Sequence, residues 1–104
     1  GSKLDLGLSP ESIINQVSDV FGVAHKEIVG KSRRMEIVQA RQVAMYLCRN
    51  LLDSSLSSIG LSFGGRDHTT VIHAIKTIEQ KGPQNSNLDK TIKSIEQKLS
   101  FISS

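Results

Sequence analysis

The fold of this chain is decided by the stretch FGGRDHTTVIHA, residues 63–74. Gly64-Gly65 predicts a tight turn, because only glycine adopts positive φ freely. A helix is predicted to begin near Asp67 and to end at Gly82-Pro83. On a helical wheel, four apolar residues of this helix share one face, which is predicted to be buried: Val71, Ala74, Ile75 and Ile78. Four polar residues fall on the opposite, exposed side: Thr69, His73, Lys76 and Gln80.

A second, shorter helix is predicted just upstream of this turn. Asp53-Ser54-Ser55 breaks the preceding apolar pattern and offers N-caps for a helix that holds Leu56, Ile59 and Phe63. Two short helices joined by a glycine-containing turn, the second with a polar outer face, form a helix-turn-helix pattern, predicted over roughly residues 55–80. In that motif the first residues of the second helix enter the major groove of DNA.

The residues at the start of this second helix have side chains suited to base recognition. A carboxylate such as Asp67 accepts from the amino group of cytosine, and a methyl such as that of Thr69 packs on thymine. His68 serves as a donor or as a flat apolar contact, and the free backbone N–H groups suit a phosphate. A purely structural interpretation remains open, in which Asp67 and Thr69 are N-caps and Arg66 is a solvated charge.

Helical spacing recurs over the rest of the chain. Ser9-Pro10-Glu11 predicts a helix start, and Gly22 predicts its end. Residues 25–29 fit one further helical turn, and a long central helix is predicted from about Glu36 to Leu52. On one face of the central helix lie Arg41, Met45 and Arg49, four residues apart, so the two arginines are expected to line one edge. A last helix, roughly 87–101, is expected to bury Leu88, Ile92, Ile95, Leu99 and Ile102.

Composition indicates one small globular domain. With 38% hydrophobic and 22% charged residues, the 104-residue chain falls in the range of globular proteins. No apolar run approaches the roughly 20 residues that span a bilayer. The single cysteine, Cys48, is expected to pack in the core and favours a reducing compartment. Residues 1–8 read as a linker that begins with an expression remnant, Gly1-Ser2, and residues 9–104 as the domain.

Positive charge is concentrated in one part of the chain. The net charge of the whole chain is +3, whereas residues 26–49 alone carry six lysines and arginines against two glutamates. Such a cluster is typical of a surface that meets a polyanion, although a merely solvated basic face gives the same count. Residues 31–36 lack apolar periodicity and are predicted to form an exposed basic loop.

Several other chemistries find no support in the sequence. His68 and His73 are five residues apart and do not share a helix face, so no zinc site is expected. Asp67-His68 near Ser62 is not a hydrolase relay, because adjacent residues on one turn cannot form one. The pattern GxxxxGK[ST] of a phosphate-binding loop does not occur, so neither an enzyme nor a bound cofactor is predicted.

The stretch 63–74 resembles, nearly word for word, the signature of the DnaA family of bacterial replication initiators. The resemblance continues upstream through SSIG (57–60), ARQVAMYL (40–47) and the basic loop, and covers about residues 9–80. It implies a C-terminal domain that binds short, asymmetric, A·T-rich boxes in double-stranded DNA at the replication origin. The family's ATPase domain precedes this domain and is not expected in this chain.

The resemblance also implies roles for individual residues. Asp67, His68 and Thr69 match positions that read bases in the major groove, and Arg33 matches a loop arginine that enters the adjacent minor groove. A narrow A·T-rich minor groove concentrates negative potential and attracts arginine. The positions that match contacts to the DNA backbone are Lys31, Arg41, Arg49, Arg66 and Thr70, with Ser55, Leu56 and His73 as further members.

This chain departs from the family pattern in the basic loop. Gln39-Ala40 stands where many relatives have a proline before the arginine, and Ser32 and Met35 occupy positions that are basic in some relatives. We expect Arg34 to replace part of this lost charge on the DNA backbone. The major-groove residues show no departure.

These observations predict an all-α, monomeric, cytoplasmic and nucleoid-associated bacterial DNA-binding domain. Its fold is expected to be a compact bundle of about six helices, with the helix-turn-helix packed on the long central helix. An asymmetric target requires no two-fold partner. The alternative is a protein-interaction module whose basic surface binds an acidic partner. The carboxylate of Asp67 at the centre of that surface favours base reading over electrostatic docking.

Overall fold

The computed structural model describes residues 8–103, with the side chains of residues 8–101. Within these residues the chain forms six helices and no strand, which confirms the predicted fold class. The helices are α1 (Pro10–Phe21), α2 (His25–Ile28), α3 (Met35–Leu52), α4 (Leu56–Ser62), α5 (His68–Gln84) and α6 (Ser86–Ser103). Predictions for residues 1–7, for residue 104 and for burial of Ile102 lie outside the described parts.

The first helix begins as its sequence predicts. The Ser9 hydroxyl accepts from the Ser12 backbone N–H, Pro10 occupies the first turn, and Gly22 ends the helix in the left-handed conformation at φ 68°. Its apolar stripe buries Ile13, Ile14 and Val17. Leu8, which sequence analysis placed in the linker, packs against the core.

Helix α3 is the centre of the bundle. It contacts both α1 and α5, and α6 packs against the same two helices. Ala40, Ala44 and Leu47 of α3 are completely buried. Burial raises the pKa of the Cys48 thiol to about 12, so this residue packs as an apolar side chain.

Helix α5 places its faces as the helical wheel predicts. Val71, Ala74, Ile75 and Ile78 are buried, whereas the opposite face, residues 69, 73, 76 and 80, is exposed. Because the buried face rests on α3, the exposed face of α5 points away from the bundle.

The predicted end of α5 at Gly82-Pro83 is wrong, because the helix continues to Gln84. Proline has a fixed φ near −65°, which is compatible with a helix, and it costs one backbone N–H. The residue before proline is disfavoured in a helix by clashes of its backbone N–H and its Cβ with the proline ring, and Gly82 lacks the Cβ. The helix therefore continues past Pro83 for one further residue.

Candidate nucleic-acid interface

The turn between α4 and α5 is built around Gly60. The carbonyl of Gly60 accepts from the backbone N–H groups of Gly65 and Arg66, both at 2.9 Å. A Cβ on Gly60 would lie 2.0 Å from the carbonyl oxygen of Arg66, so only glycine fits here. Gly64 and Gly65 have φ of 85° and 81°, as the predicted tight turn requires. These contacts set the position of α5 relative to α4.

Four polar side chains lie together on the first turn of α5. Asp67 caps the helix, with Oδ1 accepting from the Thr70 backbone N–H at 2.9 Å. This bond is the main reason why the pKa of the exposed Asp67 carboxyl is lowered. His68, Thr69 and Thr70 are also exposed. The structural interpretation of Asp67 as an N-cap is therefore confirmed, and the carboxylate remains accessible to a ligand.

Ser57, which no sequence pattern marks as a site residue, contacts this turn. The Ser57 hydroxyl of α4 lies 3.0 Å from Nε2 of His68. Ser57 and Leu61 line a shallow groove together with residues 65–69. Nothing in the sequence indicates this pair, because the angle between α4 and α5 decides which α4 residue reaches the recognition turn.

The basic loop before α3 is exposed, as predicted. Lys31, Arg33 and Arg34 all face solvent. Arg34 pairs with Glu36 at 2.5 Å, with 69% and 53% of the two side chains accessible. The pKa of Glu36 is lowered, first by its own backbone N–H and then by Arg34. Since exposed ion pairs contribute only about 0–1 kcal/mol, a phosphate can compete for Arg34 at little cost.

The structure buries Arg41 instead of exposing it. Arg41 is only 7% accessible, whereas Arg49, eight residues further along α3, is exposed. The edge that the two arginines were predicted to line is therefore buried at Arg41 and exposed only at Arg49. Helical spacing placed them on one face, but α2 and the basic loop cover the N-terminal half of that face. Contact between Arg41 and a phosphate remains a prediction that its burial does not favour.

Arg66 is half-buried between the turn and the segment that follows α2. Its guanidinium donates to the carbonyl oxygens of Phe63 and Gly30, the latter at 2.5 Å. Burial lowers its pKa. Arg66 is thus not the free solvated charge that the structural alternative assumed, and its guanidinium already has two backbone partners.

Two of the remaining predicted residues, Arg49 and Leu56, line a second groove beside α5. Lys76 also lines it, and Arg49 donates to the Ser54 carbonyl at 2.7 Å. The Ser55 hydroxyl caps α4, and His73 lies on the exposed face of α5. Lys76 joins this set only through the packing of α5 on α3, since the sequence marks it merely as exposed.

Over residues 8–101, no group of three or more histidine, cysteine or carboxylate side chains could hold a metal ion. Neither α3 nor any other helix in the described part is long and apolar enough to cross a membrane.

Two helices joined by a glycine turn, with an exposed polar N-terminus on the second, define a helix-turn-helix domain. The family described as "Bacterial dnaA protein helix-turn-helix" matches residues 10–78. The chain belongs to this family.

Two similar proteins agree with this assignment. The chain is 41% identical over 95 residues to a chromosomal replication initiator protein DnaA of Corynebacterium jeikeium, covering 91% of this chain and 16% of that protein. It is 43% identical over 96 residues to the protein of the same name from Chlorobaculum tepidum, covering 92% and 20%. The chain therefore spans about a fifth or less of the length of these relatives.

A solved structure agrees as well. The crystal structure of a DNA replication initiation factor superposes with a TM-score of 0.79 at 31% sequence identity. The match covers 89% of this chain and 29% of that chain.

Proposed function

We propose that this chain binds short, asymmetric, A·T-rich boxes in double-stranded DNA at a bacterial replication origin. In this proposal α5 enters the major groove, where Asp67, His68 and Thr69 read bases. Arg33 enters the adjacent minor groove. The chain acts in replication initiation as a monomer, in the cytoplasm at the nucleoid, without a catalytic role of its own.

The observation that carries this proposal is the exposed polar first turn of α5. Residues 67–70 are exposed, and α5 rests on the opposite, apolar face. Side chains that can recognise bases thus project from a helix packed on the core. Membership of the helix-turn-helix family supports DNA as their ligand. The exposed Lys31, Arg33 and Arg34 of the basic loop supply positive charge for the DNA backbone.

The contacts to the DNA backbone are proposed for residues on four parts of the chain. Lys31 and Arg34 act from the basic loop, and Arg49 acts from the end of α3. Thr70 and His73 act from α5, Ser55 and Leu56 from the start of α4. These contacts set the register of the domain on the duplex, and the base contacts supply specificity.

A salt titration tests the proposal. The preferred duplex is first selected from a randomised pool with the wild-type chain, and its affinity is compared with that of a scrambled duplex of equal composition. We expect binding to the selected duplex to be about 10³-fold tighter or more at moderate salt. Equal and steeply salt-dependent affinities would leave only a basic surface. Absence of binding to either duplex would favour the protein-interaction module that binds an acidic partner.

A further inference from the structure

The segment that leads into the basic loop is held by two arginines from two other elements. Arg41 of α3 donates to the carbonyl oxygens of Ile28 at 2.7 Å and of Glu27 and Ser32 at 3.0 Å each. Arg66, just before α5, donates to Gly30 at 2.5 Å. We call these two arginines and their carbonyl partners the carbonyl brace. Four of its carbonyls fall within residues 27–32.

The brace is buried at Arg41 and half-buried at Arg66. Arg41 is 7% accessible, and burial is the main cause of its lowered pKa, with the nearby Arg66 cation as a second cause. No carboxylate in residues 8–101 lies within ion-pair distance of either guanidinium. A Cβ on Gly64 would lie 2.7 Å from the Val29 carbonyl oxygen, so the turn and the segment after α2 touch at the backbone. Both arginines thus donate their hydrogen bonds to backbone carbonyls.

The brace ends next to both proposed reading elements. Ser32, whose carbonyl Arg41 binds, is followed directly by Arg33. Arg66 is followed directly by Asp67, the cap of α5. A single set of hydrogen bonds therefore connects the start of the basic loop to the start of the recognition helix.

We propose that Arg41 and Arg66 are positioning residues that hold the basic loop at one fixed distance and angle from α5. This inference rests on the proposed function. The brace requires a fixed number of base pairs between the minor-groove contact and the major-groove contacts. In this proposal Arg41 acts on specificity through the loop backbone, and a direct contact with DNA is not required.

This role differs from simple stabilisation in what it predicts about DNA. Each added base pair moves the minor-groove contact site relative to the major-groove contact site by about 3.4 Å along the axis and about 35° around it. A rigid loop cannot follow that displacement, whereas a loop released from the brace can. Loss of the brace should therefore relax the preference for spacing, whereas mere destabilisation would weaken all duplexes alike.

The test uses Arg41→Lys and Arg66→Lys, which keep the charge but lose the planar fork that donates to several carbonyls at once. Affinity is measured for the selected duplex and for duplexes with one base pair inserted or removed between its minor-groove and major-groove halves. Lys98→Gln, on the exposed side of α6, is the control variant. Amide hydrogen exchange of residues 29–34 is measured in parallel on the free chains.

For the wild type and Lys98→Gln we expect a change of spacing to weaken binding about tenfold or more, comparable with the loss of a base contact. In the two brace variants the ratio of the affinity for the selected duplex to that for a respaced duplex should fall to about threefold or less. Amide exchange of residues 29–34 should become faster. An unchanged ratio with unchanged exchange would overturn the inference, and so would equal weakening of all duplexes.

Two outcomes separate this inference from the proposed function. If the wild type binds no duplex selectively, the proposed function fails, while the exchange data still show whether the brace holds the loop. If one variant does not fold, as judged by circular dichroism, the other variant decides the outcome, because Arg41 and Arg66 bind different carbonyls.

Discussion

Asp67 combines two tasks in one carboxylate. Its Oδ1 caps α5 through Thr70, and its exposed position at the helix start allows the proposed contact with a base. A substitution to alanine removes both interactions at once, whereas asparagine keeps an oxygen that can cap. The two roles can therefore be separated by choosing the replacement.

We expect Asp67→Ala to lower the free energy of unfolding by about 1 kcal/mol through loss of the cap. It should also weaken binding to the selected duplex by about 1–3 kcal/mol. Asp67→Asn should preserve stability but change the preferred base, because an amide also donates. Denaturant unfolding and repeated duplex selection measure the two effects. If Asp67→Asn selects the same duplex as the wild type, Asp67 does not read a base.

The capping interaction of Asp67 also predicts a pH dependence of stability. The folded chain lowers the pKa of this carboxyl, mainly through the Thr70 N–H. The cap therefore contributes fully above the ordinary pKa of aspartate and is lost as pH falls through the lowered value. Thermal unfolding of the wild type and Asp67→Ala is measured between neutral and strongly acid pH. The difference between their melting temperatures should become smaller as the pH falls. A pH-independent difference would show that the charge is not involved.

At the level of elements, the packing of α4 against the start of α5 depends on a glycine within a helix. Glycine in a helix interior is usually unfavourable by about 0.5–1 kcal/mol relative to alanine. At Gly60 this preference is reversed, because a Cβ would overlap the Arg66 carbonyl oxygen. The close approach lets the Gly60 carbonyl accept two N–H groups of the turn.

Gly60→Ala should therefore destabilise the chain by about 1–3 kcal/mol or more, as overpacking does, despite the better helix propensity of alanine. Ser58→Ala, exposed on the same helix, should change stability by no more than about 0.5 kcal/mol. Chemical denaturation measures both variants. A Gly60→Ala chain as stable as the wild type would mean that α4 and the turn can separate without cost.

At the scale of the whole molecule, the cations divide into two groups with different tasks. Arg41 and Arg66 are buried or half-buried against carbonyls, whereas Lys31, Arg33 and Arg49 remain exposed. In the proposed function the exposed group displaces counterions from DNA, because its side chains face solvent. The salt dependence of binding should therefore report the exposed cations alone.

Arg49→Ala should weaken binding to all duplexes similarly and reduce the salt slope by about one unit. Its bond to the exposed Ser54 carbonyl contributes little to stability, so the chain should remain folded. Lys98→Gln should leave the slope unchanged. An unaltered slope for Arg49→Ala would remove this residue from the proposed phosphate contacts.

Local patterns were sufficient for the helices, the turn and the exposed face of α5. A helix start such as Ser9-Pro10, a positive-φ pair such as Gly64-Gly65 and an apolar stripe such as that of α5 each depend on residues within a few positions of one another. The physical causes act over the same short range, so the sequence alone identifies them. The predicted end of α5 failed at Pro83, where two short-range effects compete.

Only the tertiary structure determined which arginines are buried and which partners they bind. On periodicity alone Arg41 and Arg49 are equivalent, but α2 and the basic loop cover one and leave the other in solvent. One partner of Arg66, Gly30, is 36 residues away, and the partner of His68 is on another helix. Contacts between distant segments depend on how helices cross, and the crossing is determined by the packing of the whole core and not by any local pattern.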